Sequence, residues 1–158
     1  MRELSVVGVR VELPSNQPIV LLREVDGDRY LPIWIGAVEA SAIAYAQQRT
    51  PTVRPLTHEL MQHVIEALGD ELDEVRIVDV QEGTFYAVLV FASGAEVSAR
   101  PSDSIALALR AGARIVCAED VLDEAGIVSS DDDTADEDDE IEKFREFLDE
   151  VTPEQFDQ

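Results

Sequence analysis

Between Ser129 and Glu140 the chain carries eight carboxylates, with Ala135 as the sole apolar side chain. A run of this kind repels itself and has nothing to bury, so it is expected to stay solvated and disordered. Any core must therefore close within residues 1–128, a length suited to one domain. The formal charge of −22 divides at nearly the same place. Residues 1–118 hold 16 acidic and 10 basic side chains, and all ten basic ones are arginine. Residues 119–158 hold 18 acidic and 2 basic ones. The acidic balance argues against broad, sequence-independent affinity for nucleic acid, yet a small arginine-lined site could still hold phosphate. Beyond the acidic linker 129–140, Ile141, Phe144, Phe147, Leu148 and Val151 recur at helical spacing. That spacing predicts a short amphipathic helical tail over 141–158, which docks on its own domain or recruits a protein partner through residues 141–151.

Within the first 128 residues the pattern is that of an α+β domain, a mostly antiparallel sheet with two or three packed helices. Leu4 to Leu13 alternates, with a change of face near Val6-Val7. Pro14 to Pro18 reads as a turn, and Ile19 to Leu22 as the returning strand. Asp26-Gly27 is a hairpin signal leading into Tyr30–Ile35, where Pro32 predicts an edge or a bulge. Val38 to Gln48 reads as a helix. Thr57 to Leu68 reads as another, with Thr57 as its N-cap and Gly69 as its stop. Glu74–Val80 and Thr84–Ala92 are predicted strands joined at Glu82-Gly83, the second apolar on both faces and so expected at the centre of the sheet. Glu96–Ala99 leads to a helix from Asp103, its predicted N-cap, to Ala111 before Gly112. Ile115–Cys117 is a short closing strand.

No apolar run approaches the roughly 18 residues of a membrane span, and the N-terminus lacks a signal-peptide core. The expected location is the cytoplasm, with the lone Cys117 a reduced packing residue. Trp34 reads as core. No Walker loop, dinucleotide fingerprint, Gly-x-Ser-x-Gly elbow or paired Cys-x-x-Cys is present. His58 and His63 are the only histidines, five residues apart. That separation turns them roughly 140° from each other on a helix, so a zinc-protease reading of His58-Glu59-Leu60-Met61-Gln62-His63 is rejected.

Arg54-Pro55-Leu56-Thr57-His58 and Arg100-Pro101-Ser102-Asp103-Ser104 open two helical patterns alike. If the two starts converge, Arg54, Arg100 and Ser102 would hold phosphate at helix N-termini. His58 would serve as general base or acid, with Asp103 and Glu59 as further catalytic groups. Glu39, Glu59 and Asp103 could supply oxygen ligands to Mg2+ or Mn2+.

Three segments together resemble the bifunctional nuclease domain family. They are Leu31-Pro32-Ile33-Trp34-Ile35-Gly36 with Glu39-Ala40, the block Arg54 to Leu60, and Arg100 to Ala108. The likeness covers about residues 1–125, with Glu59 where the family usually has Asp and Ser104 where it has Ala. The resemblance implies a compact α+β domain, often a homo-oligomer, with activity on DNA and RNA. Two functions follow: a metal-dependent nuclease hydrolysing phosphodiester bonds, or a non-catalytic regulatory or protein-binding module that uses the acidic tail and terminal helix.

Overall fold

The computed structural model describes residues 1–12 and 15–128. The predicted linker 129–140 and tail 141–158 fall outside the described residues, as do Leu13 and Pro14. The strand β1 (Arg2–Glu12) pairs antiparallel with β2 (Gln17–Glu24), and the register slips between Val6 and Gly8. The slip is the face change that the alternation predicted. Its two exposed carbonyls, of Val6 and Val7, accept from the Gln47 side chain at 3.5 and 3.2 Å. The strand β3 (Arg29–Trp34) returns along β2. Among the described residues β3 has no outer neighbour at Pro32, because the strand beyond covers only Arg29 and Tyr30.

Helices α1 (Ala37–Gln48) and α2 (Thr57–Ala67) follow. Gly69 takes a left-handed φ of +82°, and the amides of Gly69 and Asp70 bond back to the carbonyls of Glu66 and Ile65. This is the six-to-one and five-to-two closure that a glycine after a helix permits. The hairpin β4 (Leu72–Gln81) and β5 (Thr84–Phe91) turns at Glu82-Gly83, both at positive φ, as a two-residue turn of this twist requires. A short β6 (Glu96–Ala99), α3 (Pro101–Ala111), β7 (Arg114–Cys117), α4 (Glu119–Ala125) and β8 (Ile127–Val128) complete the chain to residue 128.

The eight strands form one sheet in the order β6-β5-β4-β7-β1-β2-β3-β8, antiparallel throughout except for β4 beside β7. The fold is thus α+β. Two predicted placements are corrected. β5 lies next to the edge rather than at the centre: Phe85, Ala87 and Leu89 are buried while Tyr86 on the other face is exposed. Its continuous apolar run reflects one covered face and one merely apolar face. The four-residue β7, read as a closing strand, lies instead in the middle, between β4 and β1. It is short because it crosses only the centre of the sheet, and Ile115, Val116 and Cys117 are all buried there.

The main core joins both hairpins through α3, whose Ile105, Ala106, Leu107 and Ala108 are all buried. A smaller cluster of Ile19, Leu21 and Tyr30, with Trp34 against it, lies apart from the main core. Helix α4 touches both β4 and β3, four places apart in the sheet. A seven-residue helix is only about 10 Å long, whereas four strand spacings are about 19 Å, so the sheet must curl around the core. No helix among the described residues is long and apolar enough to cross a membrane.

Candidate functional site

Both Arg-Pro helices start elsewhere than the side-chain chemistry predicted. Leu56 occupies the N-cap of α2 and Thr57 is its first helical residue. Arg100 occupies the N-cap of α3, Pro101 is its first residue and Asp103 its third. Proline explains the second case. Its ring presets φ, its missing N–H is not needed in a first turn, and it forces the preceding residue to be extended. Arg100 accordingly has φ −70° and ψ 145° and passes straight from β6 into the helix. Neither helix has a side-chain cap, so the Asp103 carboxylate is left free for other partners.

Those partners are Arg100 and His58. Arg100 Nε and Nη2 each lie 3.0 Å from Asp103 Oδ2, and Arg100 Nη1 donates to Glu39 Oε1 at 3.0 Å. Asp103 Oδ1 stands 3.1 Å from His58 Nε2. A single chain of polar contacts, Glu39–Arg100–Asp103–His58, thus joins the first turns of α1, α3 and α2. The guanidinium is raised above its ordinary pKa by the hydrogen bond to Asp103, then by that to Glu39. It remains 63% exposed, and its five N–H groups are not all committed to these two acids. Asp103, as a carboxylate, can only accept, so the His58 tautomer that fits has its proton on Nε2 and a free lone pair on Nδ1.

Glu39 reaches Arg100 because Gly36, the N-cap of α1, leaves room: a methyl group there would collide with the Glu39 carboxylate. A groove of about 390 Å³ opens beside Glu39 and Arg100, while Asp103 and His58 are not among the residues that line it. It is lined by Gly36 and Glu39 at the start of α1, Arg100 and Ser102 at the start of α3, and Trp34 and Phe85 from the sheet. Ser102 is only 8% exposed, and its hydroxyl has no hydrogen-bond partner among the described residues. A hydroxyl with no partner among the described residues, beside a partly uncommitted arginine at an uncapped helix start, suits an anion.

The other candidates lie elsewhere. Glu59 faces Arg110 Nη1 at 3.5 Å and His63 Nε2 at 4.0 Å, forming a separate pair that fastens α2 to α3. Arg54 is exposed, and its guanidinium has no hydrogen bond or ion pair among the described residues. So the two helix starts do converge, through His58 and Asp103, but only one of the two arginines joins them. The carboxylates Glu39, Glu59 and Asp103 are not gathered around one point, and no group of three His, Cys, Asp or Glu side chains among the described residues could hold a metal ion. In this arrangement the trio does not fit a resident cation.

Two pairings leave no motif in the sequence. Arg110 meets Glu59 from 51 positions away, beyond any local spacing. Buried Glu24 is bracketed by Arg29, whose Nε and Nη2 donate to it at 3.1 Å each. Arg29 also pairs with Glu119 and Asp123 of α4, at 2.9 Å each. Cys117 is buried, and burial pushes its thiol up to about 12, which leaves it inert at neutral pH.

Residues 20–130 match the sequence profile of the bifunctional nuclease domain. Two proteins of Mycobacterium tuberculosis, one from strain CDC 1551 / Oshkosh and one from strain ATCC 25618 / H37Rv, are each 58% identical to the chain over 161 residues. Each alignment covers 99% of this chain and 98% of the relative, and both relatives are described as uncharacterized.

Proposed function

The chain belongs to the bifunctional nuclease domain family, and from that premise we propose that it hydrolyses phosphodiester bonds of DNA or RNA at the groove beside Arg100. The observation that carries this reading is the hydrogen-bonded chain Glu39–Arg100–Asp103–His58 across three helix starts. His58, with Nε2 turned to Asp103, takes a proton from water on Nδ1 as the water oxygen attacks phosphorus. The remaining N–H groups of Arg100 and the Ser102 hydroxyl bind the non-bridging oxygens, where charge grows in the transition state. The bond from phosphorus to the leaving sugar oxygen breaks, that oxygen takes a proton from solvent water, and His58 returns its own proton to solvent. Asp103 orients His58 and stabilises its imidazolium. Glu39 positions Arg100. Glu59, paired with Arg110, has no step of its own in this scheme, and Arg54 would act only as an outlying phosphate contact.

Mg2+ or Mn2+ remains a condition to vary in the assay, since no step above runs through an ion. The full chain is incubated with end-labelled single-stranded DNA and RNA in the presence of Mg2+, Mn2+ or a chelator. Cleavage should fall at least about a hundredfold in His58→Ala, the scale of a lost general base, and comparably in Arg100→Ala. Equal cleavage by wild type and both variants would refute these roles.

The same ion pairs favour a second reading. Glu39 and Asp103 already occupy Arg100, so an incoming phosphate competes with two carboxylates for one guanidinium. A non-catalytic module could be built this way, with the pairs as struts between helices. Absence of cleavage under every metal condition, together with unchanged anisotropy of a labelled oligonucleotide, would select it.

A further inference from the structure

Helix α2 leaves a row of apolar side chains facing outward. Leu56, Leu60, Val64 and Leu68 recur every four residues and are 42, 52, 49 and 81% exposed, with Met61 beside them. No residue of α2 is buried, although Ile65 rests on the core from its inner side. A continuous apolar stripe along a whole surface helix marks a contact surface. Nothing among the described residues covers it.

We propose that the stripe receives the chain's own segment Ile141–Val151. Ile141, Phe144, Phe147, Leu148 and Val151 recur at three- and four-residue intervals over eleven residues, the same length as α2. The eight carboxylates of residues 129–140 favour this occupant. The acidic run that precedes Ile141 would then lie by exposed Arg54 and the positive pole of α2, which sets the two helices parallel. Reach is sufficient. Twelve residues, 129–140, span up to about 40 Å when extended, whereas a 128-residue domain has a radius of gyration of about 14 Å. The proposal is independent of whether the groove catalyses anything.

The test is amide hydrogen exchange on the full chain, with its mass followed by sedimentation. In Phe144→Ser/Phe147→Ser, amides of α2 should exchange at least tenfold faster than in wild type, at every protein concentration. Reciprocally, Leu60→Ser/Val64→Ser should accelerate exchange in residues 141–151. These two side chains are exposed in the domain, so its circular dichroism should not change. Unchanged exchange in both variants overturns the proposal. So does α2 protection that rises with protein concentration and ignores the Phe144/Phe147 variant, which would assign the stripe to a second copy.

Discussion

At the residue scale, Asp103 is the hinge of the site because it serves two donors at once. One oxygen takes Arg100 and the other His58. Replacing it separates binding from chemistry. Asp103→Asn removes one of the acids that compete for Arg100, so oligonucleotide affinity should rise a few-fold. An amide can also turn an N–H toward His58 and favour the wrong tautomer, so turnover should fall by about a hundredfold or more. Filter binding and single-turnover cleavage of the same oligonucleotide read the two effects, and a parallel loss of both would contradict the assigned roles. Glu24 gives a stability counterpart. The Arg29 guanidinium holds its carboxyl below the ordinary range despite burial. A depressed carboxyl pKa contributes stability above the unfolded value and loses it as pH falls through the folded one. Glu24→Gln should therefore cost about 1–2 kcal/mol at pH 7, because Arg29 keeps Glu119 and Asp123. The gap to wild type should close in acid, below the ordinary carboxylate pKa, in urea denaturation followed across pH.

At the scale of elements, the site depends on how three helices begin. Most element identities could be read from the chain. The alternation in β1, Asp26-Gly27 before β3, Glu82-Gly83 between β4 and β5, and the glycines after α2 and α3 are all local codes. The helix starts were legible only approximately. A side-chain rule placed the caps at Thr57 and Asp103, whereas backbone stereochemistry at Pro101 starts α3 earlier and releases Asp103. α4 and β8 have too few residues to show a period. Gly36 tests the element-level argument. Its φ of −81° suits alanine, so Gly36→Ala should fold with little loss, but the new methyl group displaces Glu39 from Arg100. Substrate affinity should change by several-fold while the unfolding midpoint shifts by only a few degrees. A variant with wild-type affinity would show that the Glu39 contact is dispensable.

At the scale of the whole molecule, the charge is carried unevenly. Residues 1–118 have a net −6 and residues 119–158 a net −16. Removal of residues 129–158 should strengthen oligonucleotide binding at low salt, and the gain should shrink as ionic strength shortens the Debye length to about 8 Å at 0.15 M. Anisotropy titrations of the full and shortened chains at 0.02 and about 0.3 M salt would measure it. A gain independent of salt would point away from long-range repulsion.

What the chain determines by itself is whatever depends on neighbours in sequence. That includes where strands and helices fall, where turns reverse, which segment stays outside the core, and which residue types gather near helix starts. Which of those residues meet was decided by the order of the strands. Placing β7 between β4 and β1 sets α3 across the core. The contacts of α3 with α1 and α2 then bring Glu39 and His58 to Arg100 and Asp103, while Glu59 is drawn to Arg110 and Arg54 is left outside. Partners 45 to 61 residues apart leave no local period or spacing to read. Their pairing is a property of packing, because only the closed core brings those helix ends within hydrogen-bond distance.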